Sequence, residues 1–185
     1  MNLVVNNFQK HYPNHTVKLP NITSQEKITL IIGANGSGKT TLLKAIASLY
    51  RYTGKIHCDH SLMYTDETVT FPPHMTINHY LELLINLSPD ASVDMKETLL
   101  ELFNLTAYKT MKFKHLSKGM EQKVNLIQVL MENKELYILD EPLSGLDRES
   151  QMHFINHLRH SGKHYIIATH KVEAYQNLQT EHIYL

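Results

Sequence analysis

Gly33-Ala34-Asn35-Gly36-Ser37-Gly38-Lys39-Thr40, followed by Thr41, decides how this chain reads. It fits the phosphate-binding loop pattern (glycine, four residues, then Gly-Lys-Ser/Thr) at every fixed position. Ahead of it, Lys27-Ile28-Thr29-Leu30-Ile31-Ile32 is an apolar, β-branched run that reads as a buried strand. Behind it, Leu42 to Leu49 combines helix formers with a helical apolar face. The glycines therefore sit in a strand-to-helix turn, where free backbone N–H groups and the positive helix end hold an anion. Gly33, Gly36 and Gly38 allow the torsions and close approach of a loop wrapped around phosphate. Lys39 is expected to reach the β- and γ-phosphates, and the Thr40 hydroxyl to ligate Mg²⁺. A chance glycine-rich turn would not need this strand–loop–helix setting. The stretch predicts nucleoside triphosphate binding, with Asn35, Ser37 and Thr41 completing the cradle.

The bulk properties set limits around that motif. A chain of 185 residues suffices for one domain with a real core, and its 42% hydrophobic and 19% charged residues are those of an ordinary soluble protein. Lysine plus arginine, 18, balances aspartate plus glutamate, 18, so no basic field argues for nucleic acid. No apolar stretch approaches the roughly 18–20 residues of a membrane span. Met1 to Lys10 lacks the charged-then-apolar pattern of a signal peptide, and the single Cys58 suits a reducing compartment. A cytoplasmic location is expected, with any membrane connection made through a partner.

Along the chain, Leu3 to Phe8 reads as a first strand and Lys18 to Ile22 as a second, joined through a turn at His11-Tyr12-Pro13-Asn14-His15. Tyr52-Thr53-Gly54 reads as a turn, with short strands at Lys55–Cys58 and Ser61–Tyr64. From Thr76 to about Lys114 the pattern turns helical, broken at Ser88-Pro89-Asp90. Further on come a helix from about Met120 to Met131, a strand at Leu136–Asp140 and a helix from Arg148 to Arg159. Strands at Tyr165–Thr169 and His182–Leu185 follow. Strands alternating with helices predict an α/β fold with a mostly parallel sheet covered on both faces.

Asp140-Glu141-Pro142 closes the apolar strand, at the carboxyl end where open α/β sheets place ligand chemistry. Asp140 is expected to hold Mg²⁺, and Glu141 to act as general base on the water attacking the γ-phosphate.

With Leu116-Ser117-Lys118-Gly119-Met120 ahead of that acid pair and Ser144-Gly145-Leu146-Asp147 behind it, the chain resembles the ABC-type ATPases, the nucleotide-binding subunits of ABC transporters. The resemblance covers nearly the whole chain. It implies a P-loop ATPase core, residues 1–73 and 120–185, with an inserted all-helical subdomain at about 74–119. It implies that Ser117 and Gly119 contact, in trans, the γ-phosphate held by a partner subunit. Asp147 matches the acid of the loop coupling the two sites, and His170 the histidine that bonds the γ-phosphate and orients the water. Tyr12 falls about where the family stacks an aromatic ring on adenine, with Phe8 as the second candidate. The resemblance further implies ATP with Mg²⁺ as ligands and an ATP-dependent dimer with itself or a homologous ATPase. A separate integral-membrane permease would hold the dimer at the inner face of the cell membrane.

The departures are specific. Where the family has glutamine after the Tyr64 strand, this chain has Asp66-Glu67; alignment on Phe71-Pro72 puts Glu67 there, as an additional Mg²⁺ ligand. Lys118 replaces a glycine and Met120 a glutamine of the signature motif. That combination resembles the ATPases of ABC-2-type exporters of drugs, antimicrobial peptides or surface polymers. The chain stops at Leu185, so no substrate-responsive C-terminal domain is expected. Rival readings are a non-transport ABC protein acting on ribosome or DNA, a P-loop kinase or GTPase, and a feebly hydrolysing member of a heterodimer. Thirteen histidines, among them His153, His157, His160 and His164 near helical spacing, raise a metal site, but a solvated helix face is the reading preferred. A groove beside Glu67 would suit a docking helix from a membrane partner.

Overall fold

The computed structural model describes residues 2–185. They form two compact units. The first takes in the chain through Tyr64, Glu135–Glu141 and Gly162–Leu185; the second takes in Thr65–Lys134 and Pro142–Ser161.

Two sheets build the first unit. The five-stranded one runs in the order β6 (Leu62–Thr65), β7 (Leu136–Asp140), β8 (His164–Thr169), β4 (Ile28–Ile32), β9 (Glu181–Tyr184). β7, β8, β4 and β9 are mutually parallel, so their carboxyl ends line up along one edge. β7 is buried at all five positions, as a strand covered on both faces must be. The second sheet is antiparallel, with β1 (Leu3–Tyr12) pairing with β2 (His15–Lys18), β3 (Ile22–Ser24) and β5 (Thr53–Cys58). Helix α1 (Lys39–Ile46) packs on β5 of one sheet and on β7 and β8 of the other. Leu42, Leu43 and Ile46 thereby join Leu3, Val5, Phe8, Ile31, Ile138 and Ile166 in one core. Burying each such large side chain stabilises the unit by about 1.5–3 kcal/mol.

The structure moves several sequence-based boundaries. The strand expected from Lys18 to Ile22 is split into β2 and β3, and the turn expected at Tyr52-Thr53-Gly54 is the start of β5. The reason lies in β1, whose pairing with β5 shifts register between Asn6 and Gln9. Tertiary pairing across that bulge overrides the local turn chemistry.

The second unit carries α2 (Ile77–Leu87), α3 (Val93–Leu102), α4 (Lys118–Leu130) and α5 (Arg148–His160). All four have side-chain N-caps. Thr76 accepts from His79, Ser92 from Met95, Ser117 from Met120 and Asp147 from Ser150. The Ser117 cap starts α4 at Lys118, two residues earlier than the apolar pattern implied. Phe71, expected only to break regular structure, stacks on Phe113 at 4.5 Å with Tyr80 edge-on to both. It anchors the chain entering the helical region.

Candidate functional site

β4 ends at Ile32 and α1 begins at Lys39, so Gly33–Gly38 form the turn foreseen between them. Gly38, the helix N-cap, has φ 102°, and a Cβ there would lie 2.8 Å from Val17. Only glycine meets both demands. Lys39 is 7% exposed and lies back across the loop, its Nζ donating to the carbonyls of Gly33 (2.8 Å) and Ala34 (3.1 Å). The Ser37 hydroxyl is buried and has no hydrogen-bond partner among the described residues. No acid occupies the first turn of α1. A helix N-terminus with no acid of its own in the first turn, a buried lysine and an orphaned hydroxyl fit a bound polyphosphate.

Beside this loop the Thr40 hydroxyl donates to the Asp140 carboxylate at 2.5 Å. Hydroxyl and carboxylate oxygens converging in this way are the hard donor set that Mg²⁺ takes. Next along the chain, Glu141 adopts φ 49° while its N–H bonds the Ala168 carbonyl at 2.9 Å. A non-glycine residue at positive φ is strained. Its carboxylate meets two groups from the end of β8. Oε1 lies 2.9 Å from His170 Nδ1, and Oε2 lies 3.5 Å from the donating Thr169 hydroxyl. The carboxylate is 16% exposed and the imidazole 60%, so the acid is shielded and its histidine is open to solvent.

Of the two aromatic candidates, Phe8 is 1% exposed and stacked on Tyr52, which removes its face from any ligand. Tyr12 is half-buried, its hydroxyl 3.0 Å from Thr41 and its ring stacked on His15.

The remaining candidates belong to the second unit. Ser117 and Gly119 stand at the start of α4, and an added Cβ on Gly119 would lie 2.6 Å from the Gly145 carbonyl oxygen. Asp147 is occupied structurally: it caps α5 and pairs with Lys123 at 2.7 Å. The Lys123 ammonium, with the Ser150 N–H, holds its carboxyl well below the usual carboxylate range. Asp66 turns its carboxylate onto Thr68, at 2.9 Å to the N–H and 2.6 Å to the hydroxyl, whereas Glu67 is exposed. Glu67 lines a cavity of about 340 Å³ together with Val69, Phe71, Lys118, Gln122 and Gly145.

Sequence reasoning missed a polar stripe on α4. Buried Asn125 accepts from the Thr65 hydroxyl (2.5 Å) and Gln128 (2.8 Å), and donates to the Asp66 carbonyl (2.8 Å) and Gln122 (3.3 Å). Gln122 in turn donates to the Pro142 carbonyl at 3.2 Å. The signal was present in the spacing of Gln122, Asn125 and Gln128, one helical face. The histidines engage separate partners: His153 meets the Leu102 carbonyl, His160 that of Asn156, and His164 stacks on His60. His157 is half-buried rather than solvated.

A strand delivering a glycine-rich loop to a helix N-terminus, beside an acid pair ending a parallel strand, defines a P-loop nucleotide-binding protein. Comparison with known proteins narrows this. A profile of the ABC transporter family matches residues 21–144, and the chain belongs to that family as an ATP-binding domain. The ABC transporter ATP-binding protein YhaQ of Bacillus subtilis is 34% identical over 164 residues, covering 80% of this chain and 55% of its own length. The cytochrome c biogenesis ATP-binding export protein CcmA of Reclinomonas americana is 36% identical over 141 residues, covering 68% of this chain and 64% of its own. The chain thus spans roughly half to two thirds of the length of these relatives. The solved structure of an ATP-binding subunit of an ABC transporter superposes with a TM-score of 0.85 at 25% identity, over 100% of this chain and 86% of that one. No helix among the described residues is long and apolar enough to cross a membrane.

Proposed function

We propose that the chain is the ATP-hydrolysing subunit of an ABC transporter, closing head to tail with a second copy or a homologous ATPase and driving a separate membrane permease. The observation that carries this reading is the meeting of Thr40 with Asp140 and of Glu141 with His170, two donor–acceptor pairs at one edge of the sheet. Thr40 and Asp140 would hold Mg²⁺. The bound ion supplies charge neutralisation on the β- and γ-phosphates. The loop N–H groups and Lys39 hold the polyphosphate, which requires Lys39 to leave the Gly33 and Ala34 carbonyls. Glu141 accepts the proton of the attacking water and His170 orients it. Tyr12 stacks on the base. Ser117 and Gly119 present the start of α4 to the partner copy's nucleotide, with Asp147 linking the two sites.

ATP would touch both subunits in the closed dimer and only the loop of one subunit in the open one, so it favours closure and sets the direction of the switch. The CcmA relative is named as an export protein, which supports an exporter. Glu67 and the Lys118-Gly119-Met120 form of the signature motif also resemble the ATPases of exporters for drugs, antimicrobial peptides or surface polymers.

Size-exclusion with light scattering on Glu141→Gln tests the reading. A monomer that becomes a dimer only with Mg-ATP is expected. ATP binding without dimerisation would overturn self-assembly in favour of a homologous partner, and absence of ATP binding would overturn the whole assignment.

A further inference from the structure

A hairpin holds two rings beside the phosphate loop. β1 and β2 are joined through Pro13 and Asn14 alone, and their register sets Tyr12 directly opposite His15. Side chains of such a cross-strand pair share one face of the sheet. These two stack, with ring centroids 4.9 Å apart and planes 14° from parallel. Both strands of the hairpin rest on the start of α1. From β1, the Tyr12 hydroxyl lies 3.0 Å from that of Thr41; from β2, Val17 fills the space that a Cβ on Gly38 would need. Hairpin, loop and helix all belong to the first unit.

Tyr12 is thus fixed at its Cβ by the strand and at its hydroxyl by Thr41. Rotation about the axis joining those two points, the χ2 torsion, is still soft in a tyrosine. That angle decides where the flat face of the ring points. His15, exposed and laid flat on Tyr12, sets it. The imidazole also closes one face of Tyr12, so a base that stacks on the ring takes the other. The Lys10 ammonium lies 5.6 Å from the ring centroid, nearer to Tyr50 at 5.0 Å and bonded to the Arg51 carbonyl at 2.8 Å. That is the outer part of the range in which a cation attracts a ring, and an ammonium offers no flat surface to fix the plane.

We propose that His15 is a positioning residue for nucleotide binding: it sets the plane of Tyr12 so that the remaining face receives the base. The role rests on the reading of Tyr12 as the base-stacking ring. A ring already in place spares the ordering that binding would otherwise cost, so His15 acts on affinity and not on the chemical step. Any flat aromatic ring would serve as well as imidazole.

The test uses the full chain as wild type, His15→Ala, His15→Phe and Tyr12→Ala. For each, kcat and KM are measured with ATP, together with inhibition of that reaction by tripolyphosphate, which carries no base. His15→Ala is expected to raise the KM for ATP about threefold to tenfold, the worth of one aromatic pair, at unchanged kcat. Its inhibition constant for tripolyphosphate should match that of wild type, and His15→Phe should restore the KM. Tyr12→Ala should raise the KM by about tenfold or more. A cross-strand pair also steadies its own hairpin. If His15→Ala weakened ATP and tripolyphosphate alike, that structural role would replace the proposed one. An unchanged KM in His15→Ala beside a raised KM in Tyr12→Ala would overturn the proposal, as would a His15→Phe no better than His15→Ala. An unchanged KM in Tyr12→Ala would instead remove the reading of Tyr12 on which the role of His15 stands.

Discussion

The Thr40 hydroxyl and the Asp140 carboxylate, 100 residues apart in the chain, meet at 2.5 Å. Each stands at an element boundary, Thr40 in the first turn of α1 and Asp140 at the last position of β7. The contact follows from the fold: α1 packs on β7, so the helix N-terminus and the strand's carboxyl end share one edge. On the proposed function, these two oxygens would share a cation when a polyphosphate is bound.

Removing either oxygen should therefore weaken the metal more than the nucleotide. Thr40→Ala and Asp140→Asn are expected to raise the Mg²⁺ concentration for half-maximal hydrolysis by about 10–100-fold. Binding of a fluorescent ATP analogue without metal should change little. If both variants kept the wild-type Mg²⁺ dependence, these two residues would not be the ligands.

Gly119→Ala tests the start of α4 separately. Its Cβ would sit 2.6 Å from the Gly145 backbone oxygen, so a backbone must move rather than a flexible side-chain tip. Overpacking of this kind costs about 1–3 kcal/mol. The melting temperature should fall, and ATP-driven dimerisation of Glu141→Gln should be lost while each monomer still binds ATP. Wild-type dimerisation in Gly119→Ala would separate this glycine from the interface.

What could be read from the sequence was what is local. The loop from Gly33 to Thr40, β7 with its acid pair, and β8 running into His170 are each a short pattern with its own signal, and each lies where expected. Pairing between distant strands left no such trace. β1 pairs with β5 between residues 44 to 55 positions apart, and that pairing makes strand of Thr53 and Gly54, where a turn at Tyr52-Thr53-Gly54 was expected. The polar groups of α4 were missed for a different reason. The spacing of Gln122 and Asn125 marks one helix face, but sequence does not reveal which backbone groups that face must satisfy. Only packing exposes the Asp66 and Pro142 carbonyls that need them.

Asn125 gives the clearest stability test in the second unit. Its Nδ2 donates to two acceptors while its Oδ1 accepts from two donors, all in a buried setting. Asn125→Leu leaves those partners unpaired and should cost about 3 kcal/mol, read as a shift in the urea midpoint at unchanged slope. Asn125→Asp keeps the shape but sets a carboxylate against the Asp66 carbonyl and the Gln122 amide oxygen. Its deficit should therefore be larger at neutral pH than near pH 4, where protonation restores one donor. Equal stability of wild type and Asn125→Leu would mean that the network contributes nothing net.

Two histidines set how the protein responds to mild acid. Burial lowers the proton affinity of His157 in the second unit and of His164 in the first, each from an ordinary value of 6.5. With the folded value below the unfolded one, the unfolded chain binds more protons as the pH falls through about 6.5. Unfolding is then favoured. Their contribution is complete above that value and is lost progressively below it. Asp147, also depressed, acts in a lower window, since a carboxylate's contribution disappears only as the pH falls below its ordinary value of 3.8. The melting temperature should accordingly be flat from about pH 8 to 7, then fall between about 6.5 and 5, before any carboxylate titrates. His157→Leu, which removes the chargeable ring from its half-buried place on α5, should flatten the fall in that interval. A melting temperature that rose on acidification from pH 7 to 5 would reverse the assigned sign and remove both histidines from the account.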